Sequence, residues 1–147
     1  MKIAKPGVLE EKEEKWTSDY VASKGTADEK KKEKWRHREI KNALGTETFG
    51  KCAYCESFVE DVSFPHVEHI IPKHAHPELA HRWYNLTTAC SQCNTSKAAF
   101  YKVGEGVLNP YADDIDAQLS FLGTLIEWKS WRCSGRNYCQ VVEAKQA

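Results

Sequence analysis

Four cysteines are arranged as two pairs, and each pair has the spacing of a metal-binding turn. Cys52 and Cys55 are separated by two residues, and the same spacing recurs at Cys90 and Cys93. Two thiolates at this spacing reach one ion from a single turn, and two such turns complete the tetrahedral four-sulfur site that zinc prefers. Because such a site is closed, we predict a structural zinc that joins two distant segments. Two disulfide bonds are the alternative.

The choice between zinc and disulfides depends on the compartment. The N-terminal stretch "MKIAKPGVLEEKEEKW" lacks the apolar core of a signal peptide, and no stretch is apolar enough and long enough to cross a membrane. We therefore expect a cytoplasmic protein, in which closely spaced cysteines more often bind metal than form disulfides. The remaining Cys133 and Cys139 match no common metal-binding spacing and are expected to be ordinary thiols.

Between the two cysteine pairs lie side chains that are able to handle a proton and a hard metal ion. Glu68 and His69 are adjacent, Asn85 follows, and Asn94 comes directly after the last cysteine. Neighbours in a strand point to opposite faces, so Glu68 and His69 can flank one centre only at a strand end or a bulge. An isolated acid–histidine pair is usually a surface pair. Its position between two zinc turns favours a catalytic interpretation.

The motifs "CAYC", "VEHIIPK", "WYNL" and "ACSQCNTSK" occur in this order between Lys51 and Tyr101. This arrangement resembles the HNH endonucleases, the ββα-metal or His-Me finger family. More loosely, the flanking "GKCAYCE" and "NPYADD" stretches look like those of HNH proteins found with retron and Septu-type antiphage systems. The resemblance implies a nuclease whose catalytic centre is formed by two strands and one helix.

The resemblance also implies a role for each polar residue. His69 matches the general base that takes a proton from the attacking water, and an ordinary histidine pKa of about 6.5 suits that role at neutral pH. Glu68 matches a ligand of a single catalytic divalent ion, and Asn85 matches the asparagine that orients the base or its loop. Asn94 stands where many members have a histidine as the second metal ligand, so the pattern here is H-N-N.

The amide at Asn94 affects the metal that the site would prefer. An amide oxygen suits a hard ion, so we expect Mg²⁺ or Mn²⁺ in the catalytic position. Lys97, one helical turn further on, is a candidate phosphate contact that the positive end of the helix would assist. Lys73 and Arg82 are further candidates for binding nucleic acid. The other histidines of this stretch are expected mainly in loops, at His66, His74, His76 and His81.

These residues must be positioned by a small α+β domain. Apolar residues at helical intervals predict one helix that ends at Gly25 and a second between Thr26 and Gly45. "HVEHII" and "NLTTA" predict two strands, and "SQCNTSKAAFY" predicts a helix. A short helix and a hairpin are predicted within "VLNPYADDIDAQLSFLGTLIEW". We divide the chain into a helical extension (1–50), the zinc-stapled nuclease core (51–102) and a C-terminal extension (103–147) whose last residues fray.

The function that follows is metal-dependent hydrolysis of phosphodiester bonds in DNA, in defence against phage or a mobile element. RNA remains open as a substrate. The chain has 21 basic and 21 acidic residues, so no overall positive field attracts nucleic acid and any basic surface must be local. Two alternatives remain. One is a nuclease subunit that cuts only with an ATPase or retron-type partner, and the other is a non-catalytic zinc module that binds nucleic acid or protein.

Overall fold

The computed structural model describes residues 2–98, 108–122 and 125–128. The chain begins with helix α1 (Gly7–Ser23), which buries Val8, Leu9 and Tyr20. Gly25 follows with a φ of 77°, a conformation that glycine adopts without strain and that stops the helix. The first predicted helix and its glycine stop are therefore observed.

The second predicted helix differs from the sequence-based expectation. Two 3-10 turns, Glu29–Lys32 and Lys34–Arg36, precede helix α2, which spans Arg38–Glu47. The segment folds back because the Glu29 carboxylate accepts hydrogen bonds from the Gly25 amide and the Lys24 ammonium at 2.9 and 3.0 Å. The predicted end at Gly45 was wrong, because α2 continues through it.

The central unit consists of two antiparallel strands and a helix. Strand β1 (His66–His69) pairs with strand β2 (Leu86–Ala89), and His66 lies opposite Ala89 while His69 lies opposite Leu86. Helix α4 (Ser91–Lys97) follows directly and packs on β1. This ββα arrangement within a mixed α+β fold confirms the predicted fold class.

The described residues pack into two apolar clusters. The larger joins the N-terminal extension to the central unit and contains Val8, Leu9, Tyr20, Trp35, Ile40, Leu44, Ala80, Trp83 and Leu86. The smaller surrounds the cysteines and includes Val59 of the short helix α3 (Val59–Val62). The extension is therefore part of the same packed body as β2, since residues from both form the larger cluster.

The C-terminal extension contains the predicted helix and hairpin. Helix α5 (Ile115–Gln118) precedes strands β3 (Leu119–Leu122) and β4 (Leu125–Trp128), which pair antiparallel. Cys133, Cys139 and the stretch predicted to fray lie outside the described residues. Within the described ranges, no helix is both long enough and apolar enough to cross a membrane.

Candidate active site and metal centre

The four paired cysteines meet at one point. Their sulfur atoms all lie within 4.8 Å of one another, and the Sγ atoms of Cys55 and Cys90 are 3.9 Å apart. Cys52, Cys90 and Cys93 are buried, and Cys55 is half-buried. The Cys90 sulfur also caps α4 by accepting a hydrogen bond from the Cys93 amide at 3.4 Å. The structure thus brings together the four residues predicted to bind zinc.

The chemistry of this cluster fits a dication. A hydrogen bond with Cys55 raises the pKa of Cys52 to about 11, and bonds with Cys52 and Cys55 raise the pKa of Cys93. Several thiolates cannot be held this close together unless a positive ion offsets their repulsion. Four sulfur donors at tetrahedral spacing are the preferred ligand set of zinc. The donor set therefore fits the structural zinc that the sequence predicts.

Glu68 and Lys97 form a buried ion pair between β1 and α4. The Lys97 ammonium lies 2.7 Å from Oε1 of Glu68 and also donates to the backbone carbonyl of His69 at 2.9 Å. Both side chains are buried. Burial raises the pKa of Glu68, while the positive charge of Lys97 acts in the opposite direction. The carboxylate predicted to bind the catalytic ion thus already faces a cation.

A second contact joins the same strand and helix. Nδ2 of Asn94 lies 2.8 Å from Nδ1 of His66. His66 is two residues before Glu68, on the same face of β1, and Asn94 is three residues before Lys97, on the same face of α4. The two contacts therefore lie side by side, and Glu68 and Asn94 occupy neighbouring positions between the strand and the helix. Because the Asn94 amide nitrogen donates to His66, its oxygen Oδ1 is the atom left to bind a cation.

His69 points to the other side of β1. Its Nε2 lies 2.9 Å from the carbonyl oxygen of Ala80. A carbonyl only accepts, so Nε2 carries the hydrogen and the neutral ring keeps its lone pair on Nδ1. Burial lowers the pKa of His69 to about 3. The ring is therefore neutral at pH 7, although its pKa lies well below the ordinary value that the sequence suggested.

Asn85 holds the loop that carries the carbonyl partner of His69. Its Oδ1 accepts a hydrogen bond from the Ile71 amide at 2.7 Å, and its Nδ2 donates to the carbonyls of Ile71 and Leu79 at 3.0 and 3.2 Å. The side chain is almost fully buried. It thereby fixes the two ends of the β1–β2 connection, next to Ala80. The orienting role that the resemblance implies for Asn85 stays a prediction.

The imidazole of His69 belongs to an aromatic cluster formed with Trp16, Tyr20, Trp35 and His81. Trp35 packs edge-on against the His69 ring with centroids 4.9 Å apart, and it contacts the His81 ring at 5.2 Å. Trp16 and Tyr20 contact His81 at 6.1 and 5.9 Å. Trp35 of the N-terminal extension thus packs directly against the predicted base, and Trp16 and Tyr20 reach it only through His81 and Trp35.

The three predicted phosphate-binding side chains lie in different surroundings. Lys97 is committed to Glu68, as described above. The Arg82 guanidinium pairs with Glu13 at 3.4 Å and also with Glu14 on α1. Lys73 is half-buried, and its ammonium lies 5.2 Å from the centre of the Trp35 ring. Lys73 thus contacts the same indole that packs against His69, and the phosphate role of all three stays a prediction.

Sequence reasoning assigned no role to His66 or Trp35. The alternation of side chains along "HVEH" was the available signal for His66, because residues two apart on a strand share a face. No local pattern links Trp35 to His69, since 34 positions separate them in the sequence. His81 was expected in a loop, but it is fully buried, and neither ring nitrogen has a hydrogen-bond partner among the described residues.

Comparison with known proteins gives matches that cover the same region. The family model of the HNH endonuclease matches residues 52–100. A Septu protein PtuB of Bacillus thuringiensis is 31% identical over 109 residues, which is 74% of this chain and 40% of that protein. A Septu protein PtuB of Bacillus mycoides (strain KBAB4) is 33% identical over 63% of this chain and 41% of its own length. The chain thus spans about two fifths of the length of these relatives.

Proposed function

The chain belongs to the HNH endonuclease family, and from this premise we propose that it hydrolyses phosphodiester bonds in DNA with the help of a divalent metal ion. The observation that carries the proposal is the state of His69. Its Nε2 is held by the Ala80 carbonyl at 2.9 Å, so the neutral imidazole has its lone pair on Nδ1, as a general base requires. Asn85 fixes the adjoining loop and so keeps that carbonyl in place.

Burial, more than the neighbouring charges, sets the strength of His69 as a base. A pKa near 3 keeps the ring in the proton-accepting form but makes it a weak base. An incoming phosphate would stabilise the imidazolium form, because a neighbouring negative charge raises the pKa of histidine. We infer that the substrate itself brings His69 closer to the pKa needed for taking a proton from water.

Glu68 and Asn94 are the residues that would hold the divalent ion. A carboxylate oxygen and an amide oxygen form a hard donor set, which suits Mg²⁺ or Mn²⁺. When bound, the ion would polarise the scissile phosphate and stabilise the leaving oxygen. The contact with His66 turns the Asn94 amide so that its oxygen is available. A zinc ion bound by the four cysteines would tie the start of α4, which carries Asn94, to the turn between Cys52 and Cys55.

A second candidate is the same nuclease controlled by a partner protein. His69 and Glu68 are only 5% and 7% exposed, and Glu68 is paired with Lys97. These features describe a resting centre that needs a rearrangement before it can engage DNA. An ATPase or retron-type protein is the partner we propose. The names of the relatives and the resemblance of the flanks support a setting in antiphage defence.

Cleavage of supercoiled plasmid by the purified protein with Mg²⁺ or Mn²⁺ tests the proposal. His69→Ala should abolish nicking, whereas the matched variant His74→Ala should cut at the wild-type rate because His74 is exposed in the β1–β2 connection. Zinc content and unfolding temperature would be measured for each preparation. Folded, zinc-loaded wild-type protein that cuts neither plasmid nor RNA would exclude a stand-alone nuclease. Restored cleavage on adding a partner would then favour the controlled form, and continued inactivity would favour a binding module.

A further inference from the structure

A basic pocket lies on the N-terminal extension. It is formed by one face of α1 together with the 3-10 turns that follow, and it encloses about 790 Å³. Two aspartates, Asp19 and Asp28, contribute to its lining. The positive charges come from Lys12, Lys15, Lys31, Lys32 and Lys34. Five ammonium groups against two carboxylates leave an excess of three positive charges here, on a chain whose net charge is zero.

Three of these lysines are available for a ligand. Lys31 pairs with Asp28 at 2.7 Å, and Lys32 pairs with Asp19 at 3.5 Å. Lys12, Lys15 and Lys34 are exposed, and no carboxylate of the described residues lies within ion-pair distance of them. Like charges that converge without partners repel one another, so an anion that binds among them is favoured by all three at once.

The pocket also has an aromatic wall. The half-buried indole of Trp16 and the ring of His37 line it, with their centroids 5.8 Å apart. The apolar face of the Trp16 indole, beside charges of one sign, concentrates their field in the cleft. Trp16 also contacts His81, which contacts Trp35 next to His69. The basic pocket and the predicted base therefore lie on either side of one aromatic cluster.

Of the three predicted phosphate contacts in the central unit, Lys73 alone lacks a carboxylate partner among the described residues. Lys97 is buried against Glu68, and Arg82 is paired with Glu13 and Glu14. A nuclease of zero net charge needs a local surface to hold a polyanion, since phosphate contacts supply most of the non-specific affinity for nucleic acid. The basic pocket is where the described residues provide such a surface.

We propose that the basic pocket binds the sugar–phosphate backbone of the nucleic-acid substrate through Lys12, Lys15 and Lys34. The inference rests on the proposed nuclease function and adds to it a second contact outside the metal centre. Backbone contacts position a strand without reading its sequence. The pocket thus holds the substrate on the extension while the central unit cuts it.

The test compares two triple variants that remove the same charge. The pocket variant carries Lys12→Gln, Lys15→Gln and Lys34→Gln. The control variant carries Lys30→Gln, Arg38→Gln and Lys41→Gln, which remove exposed basic side chains outside the pocket. Both are combined with His69→Ala so that the probe is not cut, and both are checked for zinc content and unfolding temperature. Fluorescence anisotropy of a labelled duplex and a labelled single strand is recorded over a range of salt concentrations.

We expect the pocket variant to bind DNA at least tenfold more weakly than the protein that carries only His69→Ala, at about 0.1 M salt. Its plot of log affinity against log salt should be less steep by about two to three, because each lost phosphate contact removes about 0.9 from the slope. The salt dependence of binding by the control variant should be nearly as steep as that of the protein with His69→Ala alone. Equal losses in the two variants would overturn the proposal, because they would show a general effect of net charge.

The remaining outcomes separate this inference from the proposed function. The same triple variants with His69 intact are assayed for plasmid cleavage. Unchanged binding and cleavage in the pocket variant would overturn the proposal that the pocket binds DNA, while the proposed nuclease activity would stand. If the wild-type protein binds DNA through the pocket but never cuts it, the proposed nuclease activity would be overturned and the pocket would remain a DNA-binding site. A free nucleoside triphosphate that binds through these lysines while DNA does not would overturn the proposal in favour of a nucleotide site.

Discussion

The ammonium of Lys97 lies 2.7 Å from the carboxylate of Glu68, and both groups are buried between β1 and α4. Glu68 is the residue that we assign to the catalytic ion. Its charge is therefore already balanced before any ion arrives. An entering ion must share the carboxylate with Lys97 or displace it, so the ion pair opposes metal binding.

Removal of Lys97 should therefore make the fold depend on a divalent ion. Lys97→Met leaves the buried Glu68 carboxylate unpaired, which costs about 3–5 kcal/mol of unfolding free energy. Added Mn²⁺ should restore part of this loss, so the unfolding temperature should rise more in the variant than in the wild type. Thermal unfolding with and without Mn²⁺ measures the difference. Lys41→Met, on the exposed face of α2, is the control. An equal response to Mn²⁺ in all three proteins would show that Glu68 is not a metal ligand.

The His66–Asn94 contact should tune the affinity for the catalytic ion. His66→Ala removes the acceptor that orients the Asn94 amide, and the loss of one hydrogen bond, worth about 1 kcal/mol, corresponds to roughly a fivefold weaker metal site. His66→Asn places an acceptor oxygen near the position of Nδ1 and should restore the affinity. The half-saturating Mn²⁺ concentration for plasmid cleavage is the measurement, and the rate at saturating Mn²⁺ should change little. A change in that rate alone would contradict the orienting role.

Acid should destabilise the protein through its buried histidines. Burial lowers the pKa of His81 to about 4, below the ordinary 6.5. Between pH 6.5 and about 4, His81 therefore binds a proton in the unfolded chain but not in the folded chain. The free energy of unfolding that is present above pH 6.5 is lost progressively as the pH falls through this range. The free energy of unfolding should decrease by about 1.4 kcal/mol per pH unit for each such histidine within its window. His69 acts in the same direction over a window that extends to about pH 3.

Denaturant unfolding of His81→Phe as a function of pH checks this expectation. The variant keeps an aromatic ring in the cluster but cannot take up a proton, so its stability should fall less steeply below pH 6.5. The exposed His74→Phe is the control and should follow the wild-type curve. Excess zinc is present throughout, because protonation of the cysteines adds a slope common to all three proteins. Parallel curves for wild type and His81→Phe would show that His81 is not held neutral by the fold.

Loss of one cysteine should empty the zinc site and loosen α4. Cys90→Ser removes a sulfur ligand while its hydroxyl is still able to cap α4, so bound zinc should drop from about one ion per chain to well below it, and the unfolding temperature should fall. A chelator should have the same effect on the wild type. Cys133→Ser should retain full zinc, because we predict an ordinary thiol there. Zinc is quantified by atomic emission. Full zinc content in Cys90→Ser would point to a ligand set other than the four cysteines.

The sequence predicts the central unit well because its signals are local. The paired cysteines, the short strands and the helix start at Ser91 are each encoded within a few residues, and a metal site shared by both cysteine pairs requires that the two distant pairs meet. The second N-terminal helix was predicted too long because the Glu29 contacts that fold the segment back depend on α1. The spacing of apolar residues along the sequence carries no information about such contacts between segments.

The surroundings of the predicted base could not be read from local patterns. The low pKa of His69 and the ion pair of Glu68 both follow from burial by residues far away in sequence. A histidine next to a glutamate suggests an exposed, ordinary pair until the fold covers it. The choice of Nε2 as the hydrogen-bond donor likewise depends on the Ala80 carbonyl across the loop.

Trp35 lies outside the stretch that matches the family model, yet its ring packs against the imidazole of His69. The segment defined by family resemblance is therefore smaller than the segment that creates the environment of its base. A graft of residues 52–100 onto another scaffold would transplant the ligands and the zinc site but leave His69 open to water, with a pKa closer to that of a free imidazole. By the same reasoning, exchanging the extension between relatives should change the pKa of the base, and with it the pH dependence of cleavage, while the catalytic motif stays the same.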